Sequence, residues 1–461
     1  MNTIGKALSI AVLTACLATP AMAKVSAEEA QQLKDGPLTP MGAERAANKA
    51  GTIPAWTGSM LGVPKGLDYP GTGSPYPDPY AKEKPILTLT AANYKQHAEH
   101  LTEGQQALFA QYPDTFRMMI YPSHRDGRYP KLAEERAFFN AKNTQLVNGV
   151  DGLRNFTGGA PFPIPKDGAE ALWNARVIAP NFSMEGVMDD IAVFPDGTQS
   201  VRTLLTIADY PFASHDHAVG VVDEKISIYG GLVHLTTEAP VRDKGQMTIV
   251  HEPLDQVTYP RNAWIYLPGV RRVKQAPTVG YDTPDAPGGL MTVDDMLGFN
   301  GAMDRYDWTL IGKKEIYIPY HNYKFDDVNA TYKQILTPYH VNPDFMRYEL
   351  HRVWVVEANL KKGSRHIYAK RRFFIDEDSW LTASTESFDG RGDLWRMSLI
   401  NTIYDYAVQG YIQRTLVFHD LKAGAYIAIR MANERTPTQY NIPARGEDYY
   451  TPANLRKMGT R

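Results

Sequence analysis

From about Trp173 onward, apolar and polar residues alternate with a period of two, and the segments read as long strands joined by short turns. Asn262-Ala263-Trp264-Ile265-Tyr266-Leu267 turns at Pro268-Gly269 into Val270-Arg271-Arg272-Val273-Lys274. Residues 352–360 turn at Lys361-Lys362-Gly363-Ser364 into 366–375, then at Asp376-Glu377-Asp378-Ser379 into 380–388, then at Asp389-Gly390-Arg391-Gly392-Asp393 into 394–404. Consecutive strands with turns of a few residues predict an antiparallel meander. A sheet of this kind hides its edges by curling or closing, so the expected fold is α+β, mainly β: a curled antiparallel half-barrel covered by helices.

Upstream the period is helical. Residues 24–33 and 38–46 each have the content of a short helix, and Thr102-Glu103-Gly104-Gln105 has the form of a capping box, with Leu108 and Phe109 as its apolar face and Pro113 as its stop. The clearest helix is 130–143, with Leu132, Arg136, Phe139 and Asn143 on one side and Glu134-Glu135 in its first turns. Between them the Pro/Gly/Tyr-rich passage 58–85 is irregular, and 435–461 loses periodicity as an extended surface tail. The expected division is a leader (1–23), a helical and irregular N-terminal part (24–146), the half-barrel with lid helices (147–434) and the tail (435–461).

The leader changes the setting. One positive charge, Lys6, precedes the apolar run 7–18, a Pro20 break and Ala21-Met22-Ala23, the pattern of an export signal cleaved after Ala23. The run is too short to span a bilayer, which takes about 20 residues. A periplasmic product is expected. Leu13-Thr14-Ala15-Cys16 offers a competing lipoprotein signal, which would change the address and not the fold. Cys16 is the sole cysteine, so cleavage after Ala23 excludes disulfides, thiolate zinc sites and cysteine nucleophiles. Without Lys6, 48 basic residues face 51 acidic ones, a net charge of −3 with no basic excess for nucleic acid. With 43% hydrophobic residues in 461, a large core is available.

Catalytic chemistry is sparse. His215-Asp216-His217 would put two imidazoles on one face of a strand, but no set of three or four ligands assembles around them, so a solvated pair is expected, with no metal and no cofactor. Chelators should then leave stability unchanged. Asp294-Asp295, Asp304 and Asp307 form an acidic cluster expected to be solvated or paired with neighbours such as Arg305. Gly288-Gly289 lacks the lysine of a phosphate loop, and there is no Gly-x-Ser-x-Gly elbow. No enzyme is expected. A cell-envelope hydrolase or lyase using His215, His217 and Asp294-Asp295 is one alternative, and a ligand-free structural subunit is another.

What stands out is aromatic density on the strands, at Trp264, Tyr266, Trp354, Tyr368, Phe373, Phe374, Trp380 and Trp395. These residues either fill the core or line an apolar cavity on the concave face. Leu38-Thr39-Pro40-Met41-Gly42-Ala43-Glu44 with Gly51-Thr52-Ile53-Pro54-Ala55-Trp56-Thr57-Gly58, then Asn155-Phe156-Thr157-Gly158-Gly159-Ala160-Pro161-Phe162-Pro163, then 264–273 resemble the exported proteobacterial family "domain of unknown function 1329". The Trp-x-Tyr-x-Pro-x-x-Arg-Arg-Val stretch, followed by 291–297, also resembles the LolA/LolB-like outer-membrane lipoprotein-sorting superfamily. That resemblance implies a half-barrel holding acyl chains, and a link to resistance-nodulation-division exporters or an outer-membrane protein. The chain is much longer than the short carriers, which turns the expectation from lipoprotein transfer toward carriage of another lipidic or hydrophobic ligand. Candidate ligand-binding residues are Trp264, Tyr266, Leu267, Met296, Phe299, Trp354, Tyr368 and Trp395; Trp264 and Tyr266, or else Ile265 and Leu267, are expected to line a cavity beneath the N-terminal helices, and which face does so is open. Arg271 and Arg272 are candidates for an anionic headgroup or a partner.

Overall fold

The structure is a computed structural model that describes residues 25–222, 229–276 and 281–459. The leader and Cys16 lie outside the described residues. Thirteen strands carry the architecture. The first six are β1 (Ser183–Val193), β2 (Gln199–Asp209), β3 (Gly231–Ala239), β4 (Met247–Glu252), β5 (Asn262–Leu267) and β6 (Arg272–Gln275). After a long connection come β7 (Tyr306–Pro319), β8 (Tyr348–Leu360), β9 (Lys370–Asp376), β10 (Thr382–Phe388), β11 (Leu394–Asp405), β12 (Gly410–Asp420) and β13 (Ala425–Met431).

Their order across the sheet is β7-β8-β9-β10-β11-β12-β13-β1-β2-β3-β4-β5-β6, antiparallel at every step. The meander expected from the period-two pattern is therefore present, and the sheet is curled without closing, since β7 and β6 end the ladder unpaired with each other. The pairing that joins the two halves, β13 to β1, is long in range, with Ile427 opposite Ala192.

Because β6 and β7 stand at opposite edges, the connection between them must cross the sheet. It does so as a strap along one face. Asp285 meets Arg202 of β2 at 3.2 Å, the Gly289 carbonyl accepts from Arg396 of β11 at 3.0 Å, and Gly298 lies so close to Thr382 of β10 that an added Cβ would be 2.8 Å from its Cβ. Leu290 and Met291 enter an apolar cluster with Ile400, Leu416, Ile427 and Ile429.

Helices α1 (Ala27–Asp35), α2 (Glu103–Gln111), α3 (Lys131–Asn143) and α4 (Gly168–Val177) precede the sheet. Thr102 and Gln105 form the expected capping box, and Leu108 and Phe109 pack with Met397, Leu399 and Val417 on the face away from the strap. Helix α4 buries Leu172 and Trp173 on the strap side with Ile316, Val353 and Phe373. Both faces of the central strands are thus covered, which accounts for their near-continuous burial, complete along β10 and β12.

Two expectations are corrected. Residues 38–46 form no helix: Leu38 bridges to Glu44, Thr39 Oγ1 accepts from the Ala43 N–H at 3.1 Å, and Gly42 is left-handed at φ 98°. The C-terminal stretch is not simply extended, because Gln439–Tyr440 pairs with β1 and Pro452–Gly459 is a helix, α5. Its Leu455 packs with Leu232, Ile249 and Tyr266.

Candidate functional site

Helices α1 and α3 pack through Ala30, Leu33 and Ala141, with Phe138 and Leu38 at the edge. Beside this contact runs an open groove of about 850 Å³, walled by α1, the 40–61 segment, α3 and Val219. Its apolar lining is Leu33, Pro40, Trp56, Leu61, Phe138, Phe139 and Val219, and Leu61 is 48% exposed. Five cationic side chains, Lys34, Arg45, Arg128, Lys131 and Lys142, line it beside only two acidic ones, Glu134 and Glu135.

Those acids are already engaged. Arg128 grips Glu134 with two bonds of 2.7 and 2.8 Å, which raises the Arg128 pKa, and Lys131 reaches Glu135 at 3.4 Å. Lys34 and Lys142, in the last turns of α1 and α3 where the helix dipole favours cations, instead lie 3.9 and 4.2 Å from the centre of the Phe138 ring. Neither pairs with a carboxylate among the described residues.

The residues singled out from the sequence lie elsewhere and are split among separate packing environments. Trp264 and Tyr266 pack against the C-terminal helix α5, not beneath N-terminal helices, and Tyr266 Oη donates to the Gly459 carbonyl at 2.5 Å. Leu267 is half-buried at the end of β5, and Arg271 and Arg272 are exposed at the hairpin turn, Arg271 with φ 50°. Met296 sits half-buried on the strap, while Phe299 is buried edge-on to Trp308 and Phe373. Trp354 stacks parallel to Trp380 at 6.2 Å. Tyr368 and Trp395 serve an ionic network: Tyr368 Oη donates to Asp295 at 3.0 Å and Trp395 Nε1 to Asp420 at 2.9 Å.

The acidic pair at 294–295 is the plainest correction. Both carboxylates are buried, and both are held by Arg371 of β9, with no bond to Arg305. Burial alone would raise Asp294, yet Arg371 and His366 hold its carboxyl below the usual range. His215 and His217 lie in a loop and not in a strand; His215 meets the Phe182 ring edge-on, and the His217 carbonyl accepts from Arg136.

The groove was missed because its walls come from distant segments. Its one local signal is a basic last turn beside adjacent phenylalanines, Phe138-Phe139 with Lys142.

The family model "Protein of unknown function (DUF1329)" matches residues 88–456. The chain belongs to the DUF1329 family. An uncharacterized protein of Pseudomonas aeruginosa is 43% identical over 456 residues, 96% of each chain. Among solved structures, a DUF1329 protein from Desulfovibrio piger is similar over 60% of this chain and 93% of its own, at 13% identity and a TM-score of 0.41. A putative outer-membrane lipoprotein-sorting protein domain from Vibrio parahaemolyticus is similar over 62% and 97%, at 12% identity and 0.41. A LolA superfamily protein from Nitrosomonas europaea is similar over 62% and 98%, at 12% and 0.37. The resemblance read from the motifs of this DUF1329 chain is borne out.

Proposed function

We propose that this DUF1329 protein is a non-enzymatic periplasmic carrier of an amphiphile with an apolar tail and an anionic head, seated in the groove between α1 and α3. The observation that carries the reading is the pairing of an apolar lining, Leu33, Pro40, Trp56, Leu61, Phe138, Phe139 and Val219, with two lysines that have no carboxylate partner among the described residues. A groove of about 850 Å³ lies within the range of small-molecule sites, roughly 300–1,000 Å³. Each methylene moved from water into it stabilises the complex by about 0.8 kcal/mol, so a long chain supplies most of the affinity and the lysines select the head. Delivery to a resistance-nodulation-division exporter or an outer-membrane protein would complete such a role.

The hydrolase or lyase alternative lacks support at its named residues. Asp294 and Asp295 are saturated by Arg371, and His215 and His217 lie apart from them in another loop.

The test is binding of a fluorescent fatty-acid probe, with native mass spectrometry of protein purified from periplasm. Phe138→Asp and the double change Lys34→Glu with Lys142→Glu are expected to weaken probe binding at least ~10-fold, about 1.4 kcal/mol, while the urea midpoint stays near wild type. Wild-type affinity in the folded variants, with no lipid carried by the native protein, would overturn the proposal.

A further inference from the structure

A second polar cluster lies under residues 44–54, at the ends of β8 and β9, and the groove makes no use of it. His351 projects from β8, Asp376 ends β9 opposite Val353, and Asp378 stands in the turn that follows. His351 and Asp376 are each 1% exposed, and Asp378 is 8% exposed. His351 Nδ1 is 3.8 Å from Asp376 Oδ1 and 3.9 Å from Asp378 Oδ2, beyond hydrogen-bond reach. Neither His351 Nδ1 nor Asp376 Oδ1 has a hydrogen-bond partner among the described residues.

We propose that His351 Nδ1, Asp376 Oδ1 and Asp378 Oδ2 bind a divalent transition-metal ion, with zinc the best match. One ligand atom from each of the three residues lies within 4.8 Å of the other two, so one cation can touch all of them at zinc's usual ~2.0–2.2 Å after small side-chain adjustments. One imidazole and two carboxylates suit zinc better than the all-oxygen sets preferred by calcium or magnesium.

Each ligand is already oriented by an outer partner, as metal ligands are. His351 Nε2 faces Glu349 Oε2 at 3.2 Å, which makes Nε2 the donor and aims Nδ1 at the two aspartates. Asp376 Oδ2 accepts from Ser379 N at 2.9 Å, Ser379 Oγ at 2.6 Å and Tyr320 Oη at 3.0 Å, leaving Oδ1 aimed inward. Asp378 is held by Arg125 at 2.7 and 2.8 Å.

The charges also leave room for a cation. Arg125 answers Asp378, Arg347 answers Glu349, and Arg352 with Lys313 answers Glu377, but Asp376 has no Arg or Lys hydrogen-bond donor among the described residues. A buried carboxylate oxygen facing a bare imidazole nitrogen is costly without a cation between them. Arg125 also donates to the carbonyls of Glu44 at 2.6 Å and Pro54 at 3.1 Å. The ion would therefore pin the segment that brings Arg45 and Trp56 to the groove, and its role is structural.

The experiment uses the mature protein, stripped with chelator, incubated with zinc or cobalt(II) and desalted. Wild type is expected to retain about one ion per chain, to melt higher with zinc than without, and to show ligand-field absorption with cobalt. Asp376→Asn and His351→Gln are expected to lose zinc affinity by more than the ~10- to 100-fold that an outer partner is worth. Should either variant fail to fold, zinc-dependent movement of one imidazole signal in 15N-histidine-labelled wild type supplies the same readout. Folded wild type that takes up neither ion would overturn the proposal, and so would folded variants that bind zinc as wild type does. The first result would leave a proton on Nδ1 as the occupant.

Discussion

Arg371 Nη2 donates to Asp295 Oδ1 at 2.7 Å, tying β9 to the strap that crosses the sheet from β6 to β7. The same guanidinium holds Asp294 Oδ2 through Nη1 at 2.8 Å, and its side chain is wholly buried. Burial alone would lower the Arg371 pKa, but the two carboxylates raise it, so it stays charged. Arg371→Met would strand two buried carboxylates and is expected to cost about 3–5 kcal/mol in urea unfolding. Adding Asp294→Asn and Asp295→Asn should recover much of that loss, because the cost lies in unpaired charge. Three losses that simply add would show that the strap is not held by this network.

Tyr266 joins β5 to the C-terminal helix, and its ring lies where a Cβ on Gly459 would be 2.2 Å away. Tyr266→Ala is expected to cost about 3 kcal/mol and to release α5, with fatty-acid probe affinity unchanged in the folded protein. Loss of probe binding without loss of stability would instead return Trp264 and Tyr266 to the ligand.

What the sequence made legible follows from range. The meander of β8 to β11 could be read because period-two alternation and turn residues are local signals, and the capping box at Thr102 could be read for the same reason. The pairing of β13 with β1 could not, since its partners are hundreds of positions apart. Solvation or a neighbour such as Arg305 is all that the local sequence offers Asp294 and Asp295, because their cation, Arg371, lies more than seventy residues on. His351 and Asp376 escaped notice as a pair because only the β8–β9 register brings them together. At 38–46 the deciding signal is local: Pro40 and the left-handed Gly42 outweigh the helix-forming residues around them.

That turn gives a further prediction. Gly42 has φ 98°, and an added Cβ would fall 1.9 Å from the Pro163 carbonyl oxygen. Gly42→Ala must displace one of the two segments and break the bond from Trp380 Nε1 to the Met41 carbonyl, now 2.6 Å. A loss of about 2–3 kcal/mol is expected from strain and the orphaned indole donor. Urea unfolding followed by tryptophan fluorescence reads both; an unchanged midpoint would show that the turn is not tightly seated.

Acid stability should carry the mark of His419. It is buried on β12 with neither ring nitrogen hydrogen-bonded among the described residues, and burial lowers its pKa to about 3. The unfolded chain takes up a proton near pH ~6.5 and the folded protein does not, so this contribution is complete above pH ~6.5 and is lost as pH falls toward 3. The slope is at most about 1.4 kcal/mol per pH unit. His234, lowered by burial to about 4, acts in the same direction. Glu170 acts oppositely: burial raises it to about 7, so its contribution is present below its unfolded value near 4.5 and is lost as pH rises through 7. His419→Leu is therefore expected to flatten the decline between pH 6 and 3 and to raise stability at neutral pH by about 1 kcal/mol, since it removes a buried polar ring without partners. Glu170→Gln should instead steepen the decline below pH 7, because it removes an opposing gain. Urea unfolding across pH 3–8 checks both signs, and acid limbs parallel to wild type in the two variants would rule this account out.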